Sequence, residues 1–226
     1  MLFQIRDGIN IVGCFIAAIF SYIVISASTT CIASTGEMKL SKEAVAEVEK
    51  CLSPKEAELV RRVNEYRESN GLPPIAISKS LTKVARFHAI DLHENRPAEG
   101  QDSRGENCSL HSWSDRGFWT PVCYTSDHRY AEKMWDKPRE ITNHVYTGDG
   151  YENAYWTSES EVTVSRVLDG WKRSPSHNAL ILETGMWQRS NWLAFGIGIY
   201  KNVAVIWFGN MTDPLGSATA CKAVNQ

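Results

Sequence analysis

Three side chains carry the chemistry that this sequence could do. His111 lies in Ser109-Leu110-His111-Ser112-Trp113, Glu152 in Gly150-Tyr151-Glu152-Asn153-Ala154, and His177 in Trp171-Lys172-Arg173-Ser174-Pro175-Ser176-His177. Two imidazoles and one carboxylate can bind a divalent transition metal and leave coordination positions open. The same three groups can instead form a hydrogen-bonded polar cluster with no metal. Their separation along the chain follows no short regular motif, so spacing alone does not choose between these readings. Ser112 and Ser174 would lie near the histidines, but nothing in the sequence marks either as an activated nucleophile.

The elements that must position these groups are legible in turn. Ser53-Pro54-Lys55-Glu56 reads as a helix start, with a Ser cap, Pro in the first turn and an early acid. Leu59, Val60, Val63 and Tyr66 follow at helical spacing, until Asn70-Gly71 and Pro73-Pro74 stop the helix. Ile75-Ala76-Ile77 is a short extended link. Ser78 opens a second helix, with Leu81, Val84, Ala85, His88, Ala89 and Leu92 as its buried stripe and Arg96-Pro97 at its end. His88 reads as a core histidine with a local hydrogen-bond partner. The segment it opens is not a zinc-protease helix, which needs two His four apart with Glu after the first, because Ala89 follows His88.

From Cys108 to Trp156 helical periodicity is weak and aromatics are many, which predicts short strands and loops. His128 and His144 within it read as isolated surface or hydrogen-bonding residues. Val162, Val164, Val167, Leu168 and Trp171 predict a third helix ending before Pro175. Trp192 to Tyr200 alternates like a half-buried strand, with Gly196 and Gly198 where another backbone could approach. Lys201-Asn202 turns the chain into Val203–Phe208, apolar enough to be a central strand covered on both faces. Helices early and in the middle with strands mostly late predict an α+β fold, helices covering both faces of a small, mainly antiparallel sheet.

At 226 residues, with 43% hydrophobic and 22% charged residues, the chain suits one domain with extra length at an end, or at most two small ones. The formal charge of -2 gives no reason to expect nucleic acid or an anionic membrane as partner. Ile9 to Ala27 is almost wholly apolar and uncharged, and small residues follow it up to Ala33. This reads as a cleaved export signal or an uncleaved N-terminal membrane anchor. Either places the bulk of the chain outside the cytosol, and only the anchor would touch a membrane. The predicted organisation is residues 1–33 as signal or anchor, 34–52 as spacer, 53–213 as the domain and 214–226 as a tail, mobile unless Cys221 pins it.

Cleavage after Ala33 leaves four cysteines, Cys51, Cys108, Cys123 and Cys221. In an exported chain these suggest two disulfides with three pairings open. Cys108–Cys123, a local loop, and Cys51–Cys221, joining the domain's ends, are favoured. The chain-entropy model assigns the longer loop about 4–5 kcal/mol before strain. Asn107-Cys108-Ser109 and Asn210-Met211-Thr212 fit the glycosylation acceptor pattern, which matters only in a eukaryotic export route.

Taken in order, Val60–Tyr66, Leu72-Pro73-Pro74-Ile75, Leu81–Asp91, Leu110-His111-Ser112, Gly150-Tyr151-Glu152-Asn153, Trp171–His177 and Phe195-Gly196-Ile197-Gly198 resemble the CAP superfamily over roughly Ser53 to Asp213. That superfamily comprises cysteine-rich secretory proteins, antigen 5 and pathogenesis-related-1 proteins, whose shared unit is the SCP domain. The resemblance implies a three-layer α-β-α sandwich with an open cleft centred on His111, Glu152 and His177, the candidate metal ligands for zinc or another divalent cation. A second family acid falls at the position of Ser174, so here the cleft carries one acid. Ser174 and Trp113 complete the implied cleft set. No cofactor is required. The resemblance implies a secreted, non-enzymatic binding module for a lipid, a sterol or an extracellular protein. The alternative is a metal-dependent hydrolase or protease using the His/Glu/His set.

Overall fold

The computed structural model describes Leu40 and residues 42–222. The predicted export segment and its cleavage region lie outside the described residues.

The elements run α1 (Lys42–Val48), α2 (Pro54–Ser69), β1 (Ala76–Ile77), α3 (Lys79–Glu94), α4 (Ala131–Trp135), α5 (Lys137–Ile141), β2 (Gly150–Trp156), α6 (Val164–Arg173), α7 (Pro175–Ile181), β3 (Ala194–Tyr200) and β4 (Val203–Gly209). The four strands form one sheet in the order β1-β3-β4-β2. β1 is parallel to β3, and the β3–β4 and β4–β2 pairs are antiparallel. The glutamate strand β2 is therefore an edge.

Helix ends follow local chemistry. Ser53 caps α2 in a reciprocal capping box with Glu56, and Ser78 caps α3 by accepting from the Leu81 N–H. Thr163 caps α6. Alternation along the strands then sorts side chains into two cores. Ala194, Val203, Val205, Trp207 and Ala154 pack toward α3, whose Leu81, Val84 and Ala85 fill the same cluster. Phe195, Ile197, Ala204, Ile206 and Phe208 pack on the other face, against Leu59 and Val63 of α2, Val167 and Trp171 of α6, and Leu180 and Ile181 of α7. The result is an α-β-α sandwich of the α+β class.

Three expectations are corrected. β3 is buried on both faces over Ala194–Phe195–Gly196–Ile197–Gly198, not half-buried. The reason is the pair of glycines. A Cβ on Gly196 would sit 2.0 Å from the Leu81 carbonyl carbon, and one on Gly198 would sit 2.4 Å from that of Ala85. The α3 backbone thus lies directly on β3, and no side chain fits between. The Cys108–Trp156 region holds two helices, α4 and α5, each of 5 residues, as well as loops and β2. Helices this short display too little period to be read from sequence. The domain also extends beyond residues 53–213. Ala44 and Val48 of α1 are buried in the α3-side core. At the other end, Leu52 N–H donates to Thr219 O at 2.8 Å and Cys221 N–H to Leu52 O at 3.0 Å. The Cys51–Cys221 disulfide pins the tail to this region.

Two buried cations tie the layers. The Arg86 guanidinium on α3 pairs with Glu56 and donates to the carbonyls of Val48, Lys50 and Cys51, so α1, α2 and α3 meet on one group. Arg67 on α2 donates to Pro73 O, Ile181 O and Glu183. Each is buried with its donors answered, which is the condition under which burying a charge is tolerable.

Candidate functional site

Glu152 and Asn153 leave the edge strand β2 on opposite faces, as neighbours in a strand must. The Glu152 side chain, 2% exposed, turns toward α3. Its Oε2 lies 3.2 Å from Nδ1 of His111. The Asn153 side chain turns toward α7 and donates from Nδ2 to the carbonyl oxygen of His177 at 3.0 Å. One dipeptide on an open edge thus fixes an imidazole in the layer above and the backbone of a second imidazole in the layer below.

The His111 loop is clamped from several sides. The Cys108–Cys123 disulfide closes it. Trp113 and Val122 exchange backbone hydrogen bonds of 2.8 and 3.0 Å, and Ser109 N–H donates to Tyr124 O. Inside the loop, Ser112 Oγ accepts the Tyr124 N–H at 2.9 Å. These contacts leave His111 partly exposed at the turn, with a side-chain exposure of 28%. His177 sits early in α7, half-buried.

Between them runs a cavity of about 360 Å³ along β2. His111, His128, Glu152, Asn153, Ser176 and His177 supply polar groups, and much of its wall is Tyr124, Met134, Trp135, Tyr151, Leu180, Met186 and Trp187. The aromatic wall is continuous with the core, because Tyr151 packs on Trp135, Trp187 and Trp192, and Trp192 on Phe208.

The electrostatics are asymmetric. Burial pushes Glu152 up, but the charges of His88 and His111 outweigh it and hold the carboxyl well below its ordinary value. Burial pushes His111 down, and the adjacent Glu152 carboxylate more than reverses this, so its net shift is upward. For His177, burial and the His111 charge act together downward and Glu152 offsets them only in part. One histidine of the cleft is thus biased toward the cation and the other toward the neutral base.

The remaining sequence candidates fall elsewhere. Trp113 is not on the cleft wall. It is 1% exposed, stacked on His88 and edge-on to Trp119, because its strand-like pairing with Val122 turns the indole inward. Ser174 closes α6 and precedes α7, its Oγ 3.3 Å from Ser176 Oγ; it is Ser176 that reaches the cavity. Ser112 is fully buried. His128, expected to be isolated, lines the cleft and meets Tyr124 Oη through Nδ1 at 3.0 Å. The wall residues Met134, Trp135, Tyr151, Met186 and Trp187 were not singled out as such; the abundance of Trp was the only hint.

A three-ligand metal set does not fit this arrangement. Glu152 gives one oxygen to His111 and turns the other toward His88, so both of its oxygens already face imidazoles. Among the described residues no group of three or more His, Cys, Asp or Glu side chains is arranged to hold a metal ion. His111 and His177 remain as cleft imidazoles on either side of Glu152 and Asn153, with His128 further along the wall.

An α-β-α sandwich with an open, aromatic-walled cleft built on an edge-strand glutamate defines the class of this protein. The chain belongs to the CAP family, the cysteine-rich secretory protein family, whose model matches residues 60–210, more than half of the sequence. No curated protein matches it. Solved structures similar to it include an outer surface protein of Borrelia burgdorferi, at 19% identity and TM-score 0.41, covering 68% of this chain and 90% of that one. A cysteine-rich secretory protein of Staphylococcus aureus aligns at 16% identity and TM-score 0.43, over 70% of this chain and 39% of that one. An extracellular protein of Bacillus anthracis containing a SCP domain aligns at 16% identity and TM-score 0.45, over 69% and 40%.

Proposed function

We propose that this CAP-family chain is exported and acts outside the cytosol as a non-enzymatic binding module, its cleft taking a lipid-like or sterol ligand or the apolar side chains of an extracellular protein. The observation that carries this reading is the division of labour in the cleft. The one carboxylate is turned inward onto histidines, and the surface offered to a solute is mostly aromatic and aliphatic. A cavity of this volume, apolar with a few convergent polar groups, is what small-ligand sites look like. Catalysis finds less support: Ser112 Oγ is buried and occupied, and Ser174 is paired with another hydroxyl and no base. The alternative hydrolase needs Glu152 as a third metal ligand, and both of its oxygens face histidines.

Two Trp residues on the wall make the test direct. Titrating the disulfide-intact protein with palmitate and with cholesterol should change its intrinsic fluorescence saturably for at least one of them. Failure of both probes, together with no captured extracellular partner, would overturn the reading.

A further inference from the structure

Beneath the cleft, His88 has no exposed surface and no place in the binding surface itself. It projects from α3 and stacks on the indole of Trp113, with centroids 4.2 Å apart and planes 8° from parallel. Lys137 Nζ lies 5.3 Å from the Trp113 ring centroid, and the rings of Trp119 and Trp207 also meet Trp113. Stacking fixes the plane of the imidazole, and its two nitrogens then have defined partners. Nε2 lies 3.1 Å from the carbonyl oxygen of Ser112, an acceptor only, so Nε2 carries a proton and donates it. Nδ1 lies 3.3 Å from Glu152 Oε1. Neither atom makes a hydrogen bond, so the 3.3 Å approach is an ion-pair contact between two otherwise unpartnered buried atoms. Two bare lone pairs would repel at this distance in a buried site, whereas a proton held between them satisfies both.

We propose that His88, held flat by Trp113, is a positioning residue for the cleft: it pins one oxygen of Glu152, so that the other fixes His111 with Nδ1–H turned inward and Nε2 turned toward the cavity. The relay runs Ser112 O, His88, Glu152, His111, and its first and last members belong to one turn, the loop closed by Cys108–Cys123. The loop therefore reads its own register through α3 and β2. This inference deepens the cleft reading and rests on it for its functional meaning, but it is measured without any ligand, so a failed lipid titration would leave it standing.

Two substitutions separate positioning from packing. In His88→Asn the side-chain amide nitrogen can occupy the place of Nδ1 and donate to Glu152, but the bond to Ser112 O is lost. In His88→Gln the amide reaches the place of Nε2 and keeps the Ser112 bond, leaving no donor opposite Glu152. Both remove the ring and the stack on Trp113 equally. Nitrogen-15 NMR of histidine-labelled protein, at a pH high enough that His111 has lost its cationic proton, reports which ring nitrogen of His111 keeps the remaining one. The expected result is a single His111 tautomer, protonated on Nδ1, in the wild type and in His88→Asn, and loss of that single tautomer in His88→Gln. If the two variants behave alike, the positioning role is refuted. Should neither variant fold, the wild-type spectrum decides: His88 without a proton on Nε2, or His111 without one on Nδ1, contradicts the proposed relay.

Discussion

Glu152 and Asn153 are adjacent on one edge strand and grip opposite layers of the sandwich, the first through His111 Nδ1 at 3.2 Å and the second through His177 O at 3.0 Å. The width of the cleft is thereby set by the pleat of β2. Removing the Asn153 side-chain bond should release only the lower wall. Asn153→Ala is expected to cost about 1 kcal/mol in urea unfolding, since a part-buried carbonyl loses its donor. It should shift the amide resonances of α7 while leaving those of the His111 loop in place.

Stability should depend on pH in a bounded window. Glu152 has a folded-state value below its ordinary 4.5, so its contribution is fully present above that pH and is lost as pH falls toward about 2. His111 has a folded-state value above its ordinary 6.5, so its contribution is fully present below that pH and is lost as pH rises through the higher folded value. His177, shifted downward, acts against His111: it favours the folded state above its ordinary 6.5 and loses that advantage as pH falls. Urea midpoints measured from pH 2 to pH 8 should therefore show a steeper acid loss in the wild type than in Glu152→Gln. Parallel acid limbs in the two proteins would contradict the assignment.

The disulfides should differ in what they protect. Opening Cys108–Cys123, whose cysteines are 15 residues apart, is expected to cost about 3 kcal/mol by chain entropy and to loosen the His111 turn. Opening Cys51–Cys221, separated by 170 residues, should cost more, about 4–5 kcal/mol, and free the tail and α1 without moving His111. Thermal melts and histidine NMR of the paired Cys→Ser variants check both halves of this statement.

Gly196→Ala should be among the most damaging single changes in the chain. The added Cβ meets backbone of α3, which cannot rotate away as a side chain could. A loss above about 4 kcal/mol, or failure to accumulate folded protein, is expected. A melting temperature within a few degrees of wild type would show that α3 can lift off β3.

How much of this was legible in the sequence varies with the range of the cause. The caps at Ser53 and Ser78, the glycine pair on β3 and the Val203–Phe208 strand are local signals, and each predicts its element. The trio His111, Glu152 and His177 could be selected only through the resemblance, because three loops and strands far apart in the chain converge on it. His88 shows the limit best. Its burial follows from the α3 stripe, but its partner is a carbonyl 24 residues away and not a local one. The swap of Trp113 for Trp135 and Trp187 on the cleft wall has the same origin. Within a region of 5-residue helices and loops, tertiary contacts decide which way an indole faces.

The central claim is that the cleft beside Glu152 is where this protein binds, and paired tryptophan variants test it most directly. Trp187 lines the cavity, whereas Trp156, 54% exposed at the end of the Glu152 strand β2, does not. The affinity of whichever probe binds, palmitate or cholesterol, should fall at least about tenfold in Trp187→Ala, equivalent to about 1.4 kcal/mol, and stay unchanged in Trp156→Ala. Equal affinities in both variants and in the wild type would place binding elsewhere on the molecule.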